Sequence, residues 1–129
     1  RPATMSEELE LGNILDYETV QIWLDGLRQH WGGDPATDDS ERLPTLEAFC
    51  RFARVDPDNI IKKCKRVNKS GDPRISVKGR RKYAALIDEF QIQSQGSRMQ
   101  RAKRGNTVRS FLIHNAILLS PGAQMTGSE

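Results

Sequence analysis

The chain has 129 residues, of which 36% are hydrophobic and 29% are charged, and its formal net charge is +3. This balance is typical of one small globular domain and excludes a membrane-spanning protein, because no apolar run reaches the length of a span. The acidic start, RPATMSEELELGN, does not resemble a secretory signal peptide, so we expect a cytoplasmic domain, and the missing first methionine agrees with a fragment of a longer protein.

The first predicted helix runs from about Tyr17 to Trp31, with Asp16 as its N-cap. Its apolar residues recur at helical spacing and predict one buried stripe: Val20, Trp23, Leu24, Leu27 and Trp31. We expect residues 1–15 to be flexible or weakly structured, and the turn-rich, acidic stretch 32–44 to be a loop.

Two further helices are predicted in the next segment of the chain. One follows Pro44, with Thr45 as its N-cap, and is interrupted near Val55. Asp56 as N-cap and Pro57 at the first helical position predict a restart. Four basic residues lie near the predicted end of this third helix, where the helix dipole would stabilise their charge: Lys62, Lys63, Lys65 and Arg66. The dipole alone therefore explains their position, without a bound anion.

The second half of the chain predicts two more helices. Residues 68–74 read as a turn, after which Ser76 caps a helix. The core face of this helix would hold Tyr83, Leu86, Ile87 and Phe90. A flexible basic connection is predicted at 93–105, and the last helix is expected to begin at Asn106-Thr107 and to end near Asn115.

The predicted fold is an all-α bundle of four to five helices, because no segment alternates convincingly between apolar and polar residues. The predicted boundaries are a flexible segment at 1–15, a helical domain at 16–119 and a linker or tail at 120–129.

Chemistry-bearing residues are sparse, and no catalytic constellation, metal site or cofactor site is predicted. Cys50 and Cys64 read as buried small hydrophobic residues in a reducing compartment. His30 and His114 lie near predicted helix ends, where the dipole favours a partly charged imidazole, and neither is predicted to be a ligand or a base.

Charge is distributed unevenly along the chain. Residues 1–59 hold 13 acidic and 5 basic side chains, whereas residues 60–109 hold 15 basic and 3 acidic side chains. One strongly basic half is typical of a surface that attracts anions, and nucleic acid above all. A solvated surface with internal charge pairing is the alternative.

Ten residues are candidates for DNA binding. Basic side chains at a helix N-terminus oppose the helix dipole, so their position at two predicted helix starts indicates that phosphate is expected there. These candidates are Lys78, Arg80, Arg81, Lys82, Arg101, Lys103, Arg104, Asn106, Thr107 and Arg109.

Four segments together carry a pattern known from one protein family. They are TVQIWLDGLRQHW at 19–31, TLEAFCRF at 45–52 with the DPD that follows, GRRKYAALIDEF at 79–90 and NTVRSFLIHNAI at 106–117. The pattern resembles the N-terminal core-binding domain of tyrosine recombinases, the phage-integrase and Xer-like group. Where many members have Asn-Gly before the linker, this chain has Asn115-Ala116.

The resemblance implies a SAM-like bundle that clamps double-stranded DNA together with a catalytic domain of the same polypeptide. In the family, the catalytic arginines, the His-x-x-Arg pair and the tyrosine nucleophile all belong to that second domain. Neither Tyr17 nor Tyr83 stands in the nucleophile's context. The chain is therefore expected to bind DNA as a monomer in isolation, to contribute to DNA integration and recombination, and to catalyse nothing itself.

Two other functions remain open from the sequence. A SAM- or death-domain-like bundle for protein–protein interaction would use the acidic N-terminal half to dock a basic partner. RNA binding through the basic half is disfavoured, because both tryptophans and most phenylalanines lie on predicted core stripes rather than on the surface.

Overall fold

Five α-helices and a short strand pair make up the computed structural model, which describes residues 11–67 and 73–117. Within those residues the predicted all-α bundle of four to five helices is confirmed. The helices are α1 (Glu18–Trp31), α2 (Arg42–Ala53), α3 (Pro57–Lys63), α4 (Val77–Gln93) and α5 (Arg98–His114), and a 3-10 turn (Ile14–Asp16) precedes α1. The last helix, α5, packs against α1, α2 and α4 and therefore forms the centre of the bundle.

The core is aliphatic around four aromatic side chains that are almost completely buried: Trp23, Phe49, Tyr83 and Phe111. The rings of Trp23 and Phe111 meet edge to face with centroids 5.6 Å apart, which is a favoured aromatic geometry. The indole N–H of Trp23 donates to the Ser110 hydroxyl oxygen at 3.1 Å, so its polar atom is satisfied. This pair of contacts joins α1 to α5.

The start of α1 differs from its prediction. Asp16 lies in the 3-10 turn, and Tyr17 occupies the N-cap position without a capping side chain. The carboxylate of Asp58 on α3 accepts from the backbone N–H of Thr19 at 3.0 Å and from its hydroxyl at 2.6 Å. Asp58, which lies 39 positions from Thr19 in the sequence, therefore accepts a hydrogen bond from an N-terminal N–H of α1 that a neighbouring N-cap side chain would ordinarily accept.

The second helix begins earlier than predicted, at Arg42 rather than after Pro44. Thr45 is consequently not an N-cap but a buried residue inside α2. Pro44 occupies the third helical position, where its missing N–H has no intrahelical partner to lose. The predicted loop at 32–44 is therefore shorter than expected and ends at residue 41.

The third helix starts as predicted but ends sooner. The Asp56 carboxylate accepts from the backbone N–H of Asn59 at 2.7 Å, and Pro57 occupies the first helical position. The helix ends at Lys63, so the prediction that Lys65 and Arg66 belong to it is wrong.

Two three-residue strands follow α3, β1 (Lys65–Val67) and β2 (Pro73–Ile75), and they pair antiparallel. Three residues are too few for an alternating pattern to be recognised in the sequence. The predicted turn at 68–74 is thus partly strand, and residues 68–72 lie outside the described residues. The backbone N–H of Ser76 donates to the Cys64 carbonyl at 2.7 Å, which continues the pairing up to the start of α4.

The start of α4 matches its prediction, and the start of α5 does not. Ser76 caps α4 by accepting from the backbone N–H of Gly79 at 3.0 Å. A capping box starts α5, in which Ser97 and Gln100 each accept from the other's backbone N–H. The predicted flexible connection at 93–105 is therefore wrong, because only residues 94–97 separate the two helices.

At the other end of α5, Asn115 joins the last helix to the first. Its side-chain amide donates to the carbonyl oxygens of Thr19 at 3.0 Å and Phe111 at 2.9 Å. The left-handed residue that ends the helix is Ala116, with φ 69°, and Asn115 itself has φ −101°. The predicted end of the helix near Asn115 is confirmed, but the left-handed position lies one residue later.

A pH dependence of stability follows from the contact between two histidines. The rings of His30 and His114 lie 6.0 Å apart, and burial, with the nearby His30, lowers the pKa of His114 from its usual value. Near pH 6 the unfolded chain therefore binds more protons than the folded chain. For this reason the contribution of His114 to the free energy of unfolding is fully present above about pH 7 and is lost as the pH falls. Urea unfolding gives the free energy of unfolding at about pH 7.5 and about pH 5.5. The difference between these two values should be smaller for His114→Gln than for the wild type. Equal differences would contradict this assignment.

Candidate nucleic-acid interface

The two predicted basic clusters lie at opposite ends of the antiparallel pair α4 and α5. Arg109 of α5 contacts Asp88 of α4, with Nη2 and Oδ1 3.1 Å apart, and Gly105 faces Gln91. The first turns of α4 therefore lie beside the end of α5. With a rise of 1.5 Å per residue, Lys78–Lys82 is about 20 Å along the axis from Arg101–Arg104. The two clusters do not form one continuous surface.

The cluster on α4 instead joins cations from α3 and β1. Gly79 packs directly on the end of α3, where a Cβ would overlap the Lys63 carbonyl oxygen and lie 3.1 Å from the Cα of Cys64. This close approach brings the end of α3, the strand β1 and the start of α4 together. We call this surface the basic end and define it by Lys62, Lys63, Lys65, Lys78, Arg80, Arg81 and Lys82.

Charge pairing distinguishes the basic end from the cluster on α5. Six of its seven side chains are exposed, all except the partly buried Arg80. Among the residues that the structure describes, no carboxylate pairs with any of these six cations. The basic end therefore concentrates six exposed basic side chains that no described carboxylate neutralises, which is typical of a surface that attracts anions.

Three of the five cations of α5 are held by groups of the chain itself. Lys103 Nζ lies 3.5 Å from Asp39 Oδ2, and the Arg109 guanidinium donates to Asn106 Oδ1 at 3.0 Å as well as to Asp88. The Arg104 guanidinium donates to the carbonyl oxygen of Gln95. Internal pairing, the alternative left open by the sequence, therefore describes α5 better than it describes the basic end.

The Asp39 carboxylate is well suited to hold Lys103. A hydrogen bond from the backbone N–H of Glu41 lowers the pKa of Asp39, and the charges of Lys103 and Arg42 lower it further, against a smaller opposing effect of burial. Asp39 consequently stays ionised at neutral pH. Sequence spacing gave no indication of this pair, because its partners are 64 positions apart.

The α5 candidates were selected because they were predicted to lie at the start of a helix that begins at Asn106, and this reason is wrong. Arg101, Lys103 and Arg104 lie inside α5 rather than before its N-terminus, since the helix begins at Arg98. Asn106 and Thr107 are not caps, and the Thr107 hydroxyl donates to the Lys103 carbonyl at 3.0 Å. The α4 candidates lie in the first two turns of their helix, as predicted: Lys78, Arg80, Arg81 and Lys82. Arg101 and Lys103 occupy the fourth and sixth positions of α5, which are the positions of Arg80 and Lys82 in α4.

Sequence reasoning left three residues of the basic end out of the candidate set: Lys62, Lys63 and Lys65. The end of α3 stabilises Lys62 and Lys63 through its dipole, which gave them a sufficient structural explanation. A usable signal was present, because the segment from residue 60 to residue 82 has ten basic side chains and one acidic side chain.

Three side chains that could act as nucleophiles when ionised are buried: Cys50, Cys64 and Tyr83. Desolvation raises the pKa of Cys50 to about 12, of Cys64 to about 11 and of Tyr83 to about 12. Each therefore stays protonated at neutral pH. Across residues 11–67 and 73–117, no three potential ligands among His, Cys, Asp and Glu gather in a way that would hold a metal ion. The helices in the same ranges are too short or too polar for any of them to span a membrane.

Comparison with known proteins returns no match to this chain, whether among family models, curated proteins or solved structures.

Proposed function

We propose that this chain is a DNA-binding module and that its basic end contacts the backbone phosphates of duplex DNA. The observation that carries the proposal is the set of six exposed cations that no described carboxylate neutralises. Each phosphate that such a cation neutralises releases condensed counterions, which makes association favourable at moderate salt. Cations already paired inside the protein, such as Lys103, would have to give up a partner first.

Duplex DNA fits the basic end better than a single strand does. Proteins that bind single-stranded nucleic acid stack its bases on exposed aromatic side chains. The described part of the basic end presents no such ring, because Tyr83, the aromatic residue nearest to it in sequence, is 1% exposed. Backbone phosphates are then the main available contacts, and these position a protein on a duplex without reading its sequence.

The resemblance to core-binding domains of tyrosine recombinases supports a more specific proposal. The chain would be the binding half of a clamp, and a catalytic domain of the same polypeptide would supply the arginines, histidine and tyrosine of the reaction. The helical bundle and the buried Tyr83 are compatible with a module that binds and does not react. Incubation with a nicked suicide duplex should then trap no covalent adduct, and an adduct with residues 1–129 alone would overturn this part.

A titration with a short duplex tests the binding proposal. We expect a dissociation constant on the order of micromolar or weaker at physiological salt, and an affinity that falls steeply as salt is added. Amide signals of α3, β1 and the first turns of α4 should move in NMR spectra. A salt-independent interaction, or signals that move only around α1, would favour the protein-interaction alternative.

A further inference from the structure

Two exposed aliphatic side chains lie inside the basic end, between its strand and its helix. Ile75 is the last residue of β2 and is 38% exposed, and Val77 is the first residue of α4 and is 51% exposed. A single exposed apolar side chain is normal on a protein surface. Trp31 at the end of α1 is such a case, since it is 80% exposed, and the prediction that it belongs to the core is wrong. Ile75 and Val77 differ from it because they form a pair among cations.

The backbone at Ser76 places these two side chains on the same side of the chain. Ser76 is extended, with φ −75° and ψ 118°, and its own side chain is buried where it caps α4. Side chains alternate in direction along an extended backbone. Since Ser76 faces inwards, its two neighbours both face away from the core.

Exposed cations border the aliphatic pair. Lys65 of β1 lies opposite Ile75, and opposite residues of an antiparallel strand pair share one face. Lys78 follows Val77 directly, and Arg81 lies four residues after Val77, on the same face of α4. All three cations are exposed. The pair is therefore an apolar centre within a positively charged surface.

Duplex DNA has a matching arrangement of charge and apolar surface. Its phosphates line both edges of each groove, where lysine and arginine contact them. The floor of the major groove presents base edges, and the apolar group among them is the C5-methyl of thymine. The minor groove presents no methyl group. An aliphatic side chain between phosphate-binding cations therefore gains most from a thymine methyl, because apolar surface on both sides leaves water.

We propose that Ile75 and Val77 contact thymine methyl groups in the major groove and give the basic end a preference for A·T base pairs. This inference rests on the proposed function, because it takes duplex DNA as the ligand of the basic end. It adds a base contact to phosphate contacts that carry no sequence information. Lys65, Lys78 and Arg81 position the duplex, and the aliphatic pair distinguishes its bases.

Two duplexes that differ only in the C5-methyl group test this contact. One is rich in A·T pairs, and the other has deoxyuridine at every thymine position, which removes the methyl and keeps the base pairing. Titrated into the full chain at one low salt concentration, the deoxyuridine duplex should bind about fourfold more weakly, as expected for the loss of one buried methyl group. Equal affinities that both fall steeply with salt would overturn this inference and leave the phosphate contact standing. Absence of salt-dependent binding to either duplex would overturn both.

Variants show whether the aliphatic pair causes the difference. With Ile75→Ala and Val77→Ala combined, the two duplexes should bind with the same affinity. Val77→Thr replaces one methyl by a hydroxyl at nearly constant shape, so it should narrow the difference while thermal unfolding stays close to that of the wild type. A difference that persists in full in the double variant would overturn the inference, because another group would then contact the methyl.

Ile92→Ala is the matched control for these variants. Ile92 is 67% exposed and lies near the opposite end of α4 from the basic end. Its removal should leave the full difference between the two duplexes. If Ile92→Ala narrows the difference as much as the double variant does, the effect does not come from the basic end, and the inference is wrong.

Discussion

Replacing Lys78, Arg81 and Lys82 together with glutamine is expected to lower the affinity for duplex DNA by about a hundredfold at roughly 0.1 M salt. The slope of log K against log salt should become shallower by about 3, because three phosphate contacts are lost. All three side chains are exposed and lack an ion-pair partner within the described residues, so the fold should persist. Fluorescence anisotropy at several salt concentrations measures both quantities.

The matched control removes the same amount of charge from α5. Glutamine at Arg101, Lys103 and Arg104 should lower DNA affinity less, because Asp39 and the Gln95 carbonyl already hold two of the three. If this variant loses more affinity than the α4 variant, the basic end is not the main DNA contact. Circular dichroism of both variants shows whether a loss reflects binding or unfolding.

Gly79→Ala is expected to destabilise the domain by about 2 kcal/mol or more. The added Cβ would overlap the Lys63 carbonyl and approach the Cα of Cys64, and neither backbone atom can move without separating α4 from α3. The same separation would disperse the basic end, so DNA affinity should fall as well. Urea unfolding monitored by circular dichroism gives the free energy of unfolding.

Gly105→Ala is the control for Gly79→Ala, since both glycines are buried inside helices. Its new Cβ would meet the side chain of Gln91, whose amide oxygen is buried without a hydrogen-bond partner. That side chain can rotate towards water, and alanine favours the helix by up to about 1 kcal/mol. Stability should therefore stay within about 1 kcal/mol of the wild type. Equal destabilisation by both variants would show that backbone overlap is not the cause.

Local signals account for the part of the fold that the sequence predicted. Asp56-Pro57 and Ser76 act within their own first turns, so their capping roles depend on neighbours three residues away. Ser97 and Gln100 gave an equally local signal for α5, but the polar, basic residues around them lack the apolar spacing by which a helix is recognised.

Long-range contacts account for what the sequence could not predict. Asp58 satisfies the first turn of α1, and Asn115 bonds to Thr19 across 96 positions, so neither role is visible in a local window. The candidate site divides in the same way. Its α4 half was predicted, whereas the contribution of α3 and the neutralisation of Lys103 by Asp39 depend on which elements the fold places side by side.

The hydrogen bonds of Asn115 also fix where the described chain enters and leaves the bundle. Because Asn115 holds Thr19, the beginning of α1 and the end of α5 meet at one point. The antiparallel pairing of α4 and α5 places that point at the same end as the first turns of α4. Any module tethered there by a short linker would be confined near whatever the basic end holds, at an effective concentration on the order of millimolar. It would search that small volume instead of the whole solution.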